Sequence, residues 1–229
     1  YNKANGTNLS VDAYNDMKNK GVVGNVINSI ANIFGRGDKT DYSQYEVTSE
    51  GNGVGSKKST NNQKSVGYGF GLQSDPRWAN LPLGKFPNGQ RSTMATGGCG
   101  PTALSSAANA LGLGYSPADM AKVAVQGGYI SDGGANANLF GQGANSIGLQ
   151  SSKVNGAAGI MNSLANGQPV ILAGKSQGYG KNPYTSAGHI VTATGMDRNG
   201  HVVVQDPMRG TSLYSINDLA KNMTNGWSM

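Results

Sequence analysis

Cys99 is the single cysteine of a 229-residue chain. It stands in the run Gly97-Gly98-Cys99-Gly100-Pro101-Thr102, which leads into ALSSAANAL. A neutral thiol is a poor nucleophile, and proteins activate it by placing it near a helix N-terminus and an imidazole. Cysteine hydrolases therefore pair a cysteine with a histidine and orient the histidine with Asp or Asn. The chain holds 2 histidines, His189 and His201. The set that could do this chemistry is Cys99 as nucleophile, His189 as base, and Asp206, 17 residues after His189, as the orienting carboxylate. His201 stands beside a hairpin tip and reads as an exposed turn residue. Each member has a plainer reading when taken singly: a lone cysteine is usually a small buried hydrophobe, and an aspartate before proline a turn former. Their order along the chain gives them weight together.

These residues need elements to position them. After the cysteine, Ala103, Leu104, Ala107, Ala108 and Leu111 recur at helical spacing with small side chains, a buried helical stripe. Pro101 suits the first helical position, because its missing N–H would have no intrahelical partner there. Cys99 thus falls just before a helix N-terminus, where unpaired N–H groups and the helix dipole favour negative charge. Glycines on both sides leave room for a substrate backbone, and Gly98 and Gly188 are the expected substrate-binding positions. Ser116 to Asp119 and Ser215 to Asp218 form capping boxes that open further helices, MAKVAVQ and LAKNM. Residues 135–147 and 155–165 read as short helices, and 169–174 as a buried strand.

The histidine lies on a hairpin. Gly188 to Gly195 and His201 to Asp206 are strand-like runs on either side of Met196-Asp197-Arg198-Asn199-Gly200, and Asn-Gly between such runs is a strong hairpin signal. The odd separation puts His189 and Asp206 on one face if the tip contributes an even number of residues. A two-residue Asn-Gly turn would leave them about four residues apart along the strand, roughly 13 Å. The pairing therefore demands a looser tip or a bulge. A helix-rich half with the cysteine followed by a strand-rich half with the histidine is an α+β arrangement.

Composition bounds the rest. The chain is rich in Gly (36 residues), poor in charged residues (13%), and carries a net charge of +6. Such diffuse positive charge suits an anionic polymer such as bacterial cell wall, and equally suits ordinary solubility. No basic stripe interleaved with aromatics points to nucleic acid. No apolar run reaches the roughly 20 residues of a membrane span, and no signal-peptide pattern is present. One cysteine and two separated histidines make a metal site improbable, and no cofactor is expected. Residues 1–34 read as a helical N-terminal segment and residues 35–69 as a Gly/Ser/Asn/Lys-rich linker. Residues 70–229 read as one domain, expected to be part of a larger multidomain protein.

GGCGPTAL, with QSDPRWA before it and AGHIVTATGMDRNGHVVVQDP behind it, resembles the papain-like cysteine peptidases related to bacteriocin-leader-processing (double-glycine leader) peptidases. The likeness is strongest to their soluble branch, found in bacterial surface proteins and phage lysins. It spans about residues 70–220. The resemblance implies a papain-like α+β fold, with Cys99 as nucleophile, His189 as general base and acid, and Asp206 as its orienter. Related enzymes take an oxyanion donor from a glutamine upstream of the cysteine. Gln73 fits the Gln-x-Asp-x-x-Trp pattern and is chosen over the nearer Gln90, although in transporter-linked relatives that glutamine lies closer to the cysteine. Asp75 and Trp78 are expected to be structural. The implied activity is hydrolysis of peptide bonds through a thioester, with peptidoglycan or another peptide as substrate. The expected setting is an extracellular or virion-associated cell-wall endopeptidase module. A protease processing a polypeptide, and a non-catalytic wall- or host-binding module on the same fold, are the alternatives.

Overall fold

The computed structural model describes residues 70–174 and 188–229. The expected helical segment 1–34, the expected linker 35–69 and the residues just ahead of Gly188 lie outside the described residues. In chain order the elements are β1 (Pro82–Lys85), β2 (Arg91–Thr93), α1 (Met94–Gly97), α2 (Cys99–Ala110), α3 (Pro117–Gln126), β3 (Ile130–Ser131) and β4 (Gly134–Ala135). A 3-10 turn (Ala137–Phe140), α4 (Gln142–Ser146), β5 (Ser152–Lys153), α5 (Gly156–Ala165) and β6 (Val170–Gly174) follow. The chain then runs through β7 (His189–Met196), β8 (Val202–Asp206), β9 (Gly210–Tyr214), α6 (Ile216–Asn222) and β10 (Met223–Ser228). A helical half precedes an antiparallel sheet of order β5-β10-β6-β7-β8-β9, so the fold class is α+β.

The period-2 alternation of strands sorts the sheet residues between two cores. Ile171, Ile190 and Trp227 join Ala103, Leu104, Ala107 and Ala108 of α2 in one cluster. Their neighbours Val170, Leu172, Val191, Ala193, Val202 and Val204 pack with Ile160 of α5 and Leu219 of α6 in the other. Burial of a side chain such as Leu104 or Leu172 stabilises by about 2 kcal/mol. Thr192 ties the first interface with a hydrogen bond from its Oγ1 to the Ala103 carbonyl at 2.8 Å.

The cysteine helix starts two residues earlier than its proline suggests. Gly98 donates its N–H to the Met94 carbonyl (3.0 Å), closing α1, and its own carbonyl accepts from Thr102 N (3.0 Å). Cys99 is therefore the first residue of α2. Pro101 sits inside the first turn, where its lack of an N–H breaks no intrahelical bond.

The expected capping box forms in full at Ser116, whose backbone N–H donates to Asp119 Oδ2, whereas at Ser215 only the side-chain half of the expected box is present. Ser116 Oγ accepts from Asp119 N at 3.1 Å, and Ser215 Oγ from Asp218 N at 3.1 Å. The last helix stops at Asn222, however, and Met223 begins a strand. That strand inserts between β5 and β6 and carries Trp227 to within 4.8 Å of the Phe140 ring centroid.

Candidate active site

β7 and β8 hold His189 and Asp206 in a diagonal relation. The hairpin pairs Met196 with Val202, which leaves a five-residue tip, Asp197 to His201. Asp197 Oδ1 organises that tip by accepting from the backbone N–H groups of Asn199 and His201. Further in, the register shifts between Ala193 and Gly195, so Thr194 is a bulged residue without a cross-strand partner. Tip and bulge together add an even number of residues, and parity keeps the two side chains on one face. Continuing the Thr192↔Gln205 pairing by one residue sets Asp206 opposite Val191, two positions from His189. Diagonal neighbours at that spacing are within reach of side chains.

His189 Nε2 lies 2.8 Å from Asp206 Oδ1, with both side chains fully buried. A carboxylate only accepts, so Nε2–H donates, and this fixes the neutral tautomer with Nδ1 as the basic nitrogen. Among the described residues Nδ1 has no hydrogen-bond partner. It is left to Cys99, which is close enough for its sulfur to act on the imidazole charge. Burial pushes the His189 pKa down, but the Asp206 bond and the charges of Asp206 and Cys99 outweigh it, and the pKa is raised from 6.5 to about 9. Burial likewise pushes the Asp206 carboxyl up, while His189, the Met208 N–H and the Arg209 charge hold it below its ordinary value.

Cys99 is itself buried, at the first position of α2. The loop around it is built on close approaches that no larger residue could make. A Cβ on Gly97 would run into the Gly133 carbonyl oxygen, one on Gly98 into the Met94 carbonyl oxygen, and one on Gly100 into the Ala135 Cβ. Ser92 fastens the same region by donating its Oγ–H to the Gly133 carbonyl. Gly188, beside the histidine, has φ +58°, and a Cβ there would lie 2.6 Å from the Gly174 carbonyl oxygen. Gly98 and Gly188 thus have packing causes apart from any substrate.

Gln73 bridges the two halves. Its buried side chain donates from Nε2 to the Ala95 carbonyl at 2.8 Å, four residues before Cys99, and its backbone N–H donates to the Pro207 carbonyl at 2.7 Å, one residue after Asp206. An amide nitrogen carries two hydrogens, and the Ala95 carbonyl takes one of them. Gln90, the other glutamine considered, is exposed and accepts from Asn88 Nδ2 at 3.0 Å. Asp75 forms an ion pair with Arg77 at 2.8 Å. Trp78 is buried and donates its indole N–H to the Leu72 carbonyl at 2.7 Å. Both serve the turn that presents Gln73. His201 pairs with Asp197 at 3.2 Å on the surface, as its place beside the tip suggests.

Sequence reasoning did not find the surroundings of Asp206. Met208 N donates to Oδ1 at 2.8 Å, and Arg209 Nη1 stands 3.4 Å from Oδ2. Both follow from the turn after Asp206, whose carbonyl accepts the Arg209 N–H at 3.2 Å. The Asp-Pro pair signals such a turn but not its side-chain partners. Among the described residues no group of three or more His, Cys, Asp or Glu is placed to hold a metal ion. No helix among them is long and apolar enough to cross a membrane.

Among solved structures, one match is a double glycine motif protease from an AMS/PCAT transporter in complex with the leader peptide. It is 18% identical, covers 57% of this chain and 81% of its own, and has a TM-score of 0.41. No curated protein matches the chain. The family model described as the Peptidase_C39 like family matches residues 83–229, a span that includes Cys99, His189 and Asp206 and well over half of the chain. The chain therefore belongs to the Peptidase_C39 like family, a cysteine peptidase family.

Proposed function

We propose that the chain hydrolyses peptide bonds of peptidoglycan through Cys99, His189 and Asp206. The observation that carries the reading is the buried 2.8 Å bond from His189 Nε2 to Asp206, which leaves Nδ1 for the cysteine. In the proposed reaction Cys99 Sγ attacks the substrate carbonyl carbon while His189 holds the thiol proton. The tetrahedral oxyanion is met by the Cys99 N–H, at the first position of a helix, and by the second hydrogen of Gln73 Nε2. The C–N bond breaks as His189 protonates the leaving amine, giving a thioester. Water, deprotonated by His189, then attacks the thioester and releases the acid and the thiol. Asp206 keeps the imidazole in its tautomer and stabilises the imidazolium.

Support for a wall substrate, a cross-bridge or stem peptide, comes from the net charge of +6. On this reading residues 70–229 are an extracellular or virion-associated module of a larger wall-degrading protein, joined through the linker 35–69 to an N-terminal segment.

The test is incubation of wild type and Cys99→Ala with purified peptidoglycan and, separately, casein. New muropeptide termini by mass spectrometry, lost in Cys99→Ala, are expected. Cleavage of casein alone would make the chain a polypeptide-processing protease. Binding of the wall by both proteins without hydrolysis would make it a binding module.

A further inference from the structure

Asp206 has two oxygens with different surroundings. Oδ1 accepts from His189 Nε2 and from Met208 N, each at 2.8 Å. Oδ2 faces Arg209, whose Nη1 stands 3.4 Å away. The carboxylate is fully buried, while the arginine side chain is 44% exposed and reaches inward from the surface of the β8–β9 turn. A buried carboxylate is stabilised as an anion only by partners of this kind. Tyr214 of β9 borders the same group: burial raises its phenol, the Asp206 charge adds to that, and the Arg209 charge and hydrogen bond oppose it. Among the described residues, the charged and titratable groups that act on Asp206 include His189 from β7, Arg209 from the turn and Tyr214 from β9, with Cys99 reached through His189.

We propose that Arg209 is a positioning residue that acts on Cys99 and His189 through the Asp206 carboxylate. By engaging Oδ2 it fixes the rotation of the carboxyl group, so that Oδ1 stays aimed at Nε2. Its charge also favours the ionised carboxylate that Nε2–H requires. In this role Arg209 acts on the sulfur and the imidazole through the carboxylate. The inference rests on the reading of Cys99, His189 and Asp206 as one catalytic group.

A double-mutant cycle on the full chain tests it, with the rate of Cys99 carbamidomethylation by iodoacetamide followed by intact mass. Arg209→Gln is expected to slow labelling about fivefold, the upper end of what a partly exposed ion pair is worth. Arg209→Lys, which keeps the charge, is expected to recover most of the rate. In an Asp206→Asn background the same Arg209→Gln change is expected to have no effect, because the group it acts on is gone. An equal slowing in both backgrounds would overturn the proposal, since Arg209 would then act by packing or directly. So would an unchanged rate in Arg209→Gln when His189→Ala labels slowly. If His189→Ala labels as fast as wild type, the catalytic reading itself falls and takes the proposal with it.

Discussion

Asp206 meets His189 at 2.8 Å although the two residues do not face each other across β7 and β8. The five-residue tip and the single bulged residue, Thr194, bring them to diagonal positions on one face. Without the bulge the strand parity changes, and one side chain turns to the opposite face. Deletion of Thr194 is therefore expected to reduce Cys99 labelling by iodoacetamide to the level of His189→Ala. A folded deletion variant that labels like wild type would show that the bulge does not set the pairing.

Removal of one partner from the buried pair leaves the other without compensation. Asp206→Ala is expected to destabilise the protein by about 3 kcal/mol, read as a lower urea midpoint with an unchanged slope. A loss below about 1 kcal/mol, the range of an exposed pair, would mean that water reaches the site.

Stability should depend on pH with a definite sign. The His189 pKa is raised from 6.5 to about 9 in the folded protein. Its contribution is fully present below the unfolded value and is lost as pH rises through about 9. The Asp206 pKa is lowered, so its contribution is present above the ordinary carboxylate value and is lost as pH falls through the lowered one. Melting temperature is expected to drop between neutral pH and pH 10 more steeply in wild type than in His189→Gln. Parallel curves would assign the alkaline loss to other groups.

The glycines around the cysteine separate packing from conformational freedom. A Cβ on Gly98 has the Met94 carbonyl in its place, whereas Gly134 has open space around it and an ordinary φ. Gly98→Ala is expected to cost about 2 kcal/mol by overpacking and to displace Cys99, while Gly134→Ala should stay within about 0.5 kcal/mol of wild type. Thermal melts of the two variants decide this, and equal losses would count against it.

Gln73 can be tested apart from Cys99. Alkylation by iodoacetamide forms no tetrahedral oxyanion, whereas amide hydrolysis does. Gln73→Ala is expected to hydrolyse substrate about 100-fold more slowly, as for loss of one oxyanion donor, while Cys99 is alkylated at nearly the wild-type rate. A parallel fall in both rates would make Gln73 a tether between the Ala95 and Pro207 carbonyls and nothing more.

Legibility in the sequence followed the range of the interactions. The capping box at Ser116 and the side-chain cap at Ser215 act within a few residues, and both helices begin where those signals stand. The hairpin was readable from Asn199-Gly200, and the distance from His189 to Asp206 already required a tip or bulge that no local signal located. β10 escaped because its partners, β5 and β6, are more than 45 residues away, and because Asn225-Gly226 within it reads as a turn. In the fold that pair is in regular register with Ala173 and Leu172, and the register shifts just before it, between Met223 and Asn225. The first residue of α2 was misplaced because Pro101 resembles a helix start, while the closure of α1 onto Gly98 depends on the Met94 carbonyl. Arg209 carried no signal, since a turn arginine reads as solvated charge until the fold sets it beside a buried carboxylate.

The pairing of Cys99 with His189 is tested most directly by the rate of Cys99 alkylation by iodoacetamide in wild type and His189→Ala near neutral pH. With the imidazole pKa raised to about 9, His189 is protonated there, and wild type is expected to label quickly and His189→Ala at least tenfold more slowly. Equal rates in the two proteins would contradict the pairing.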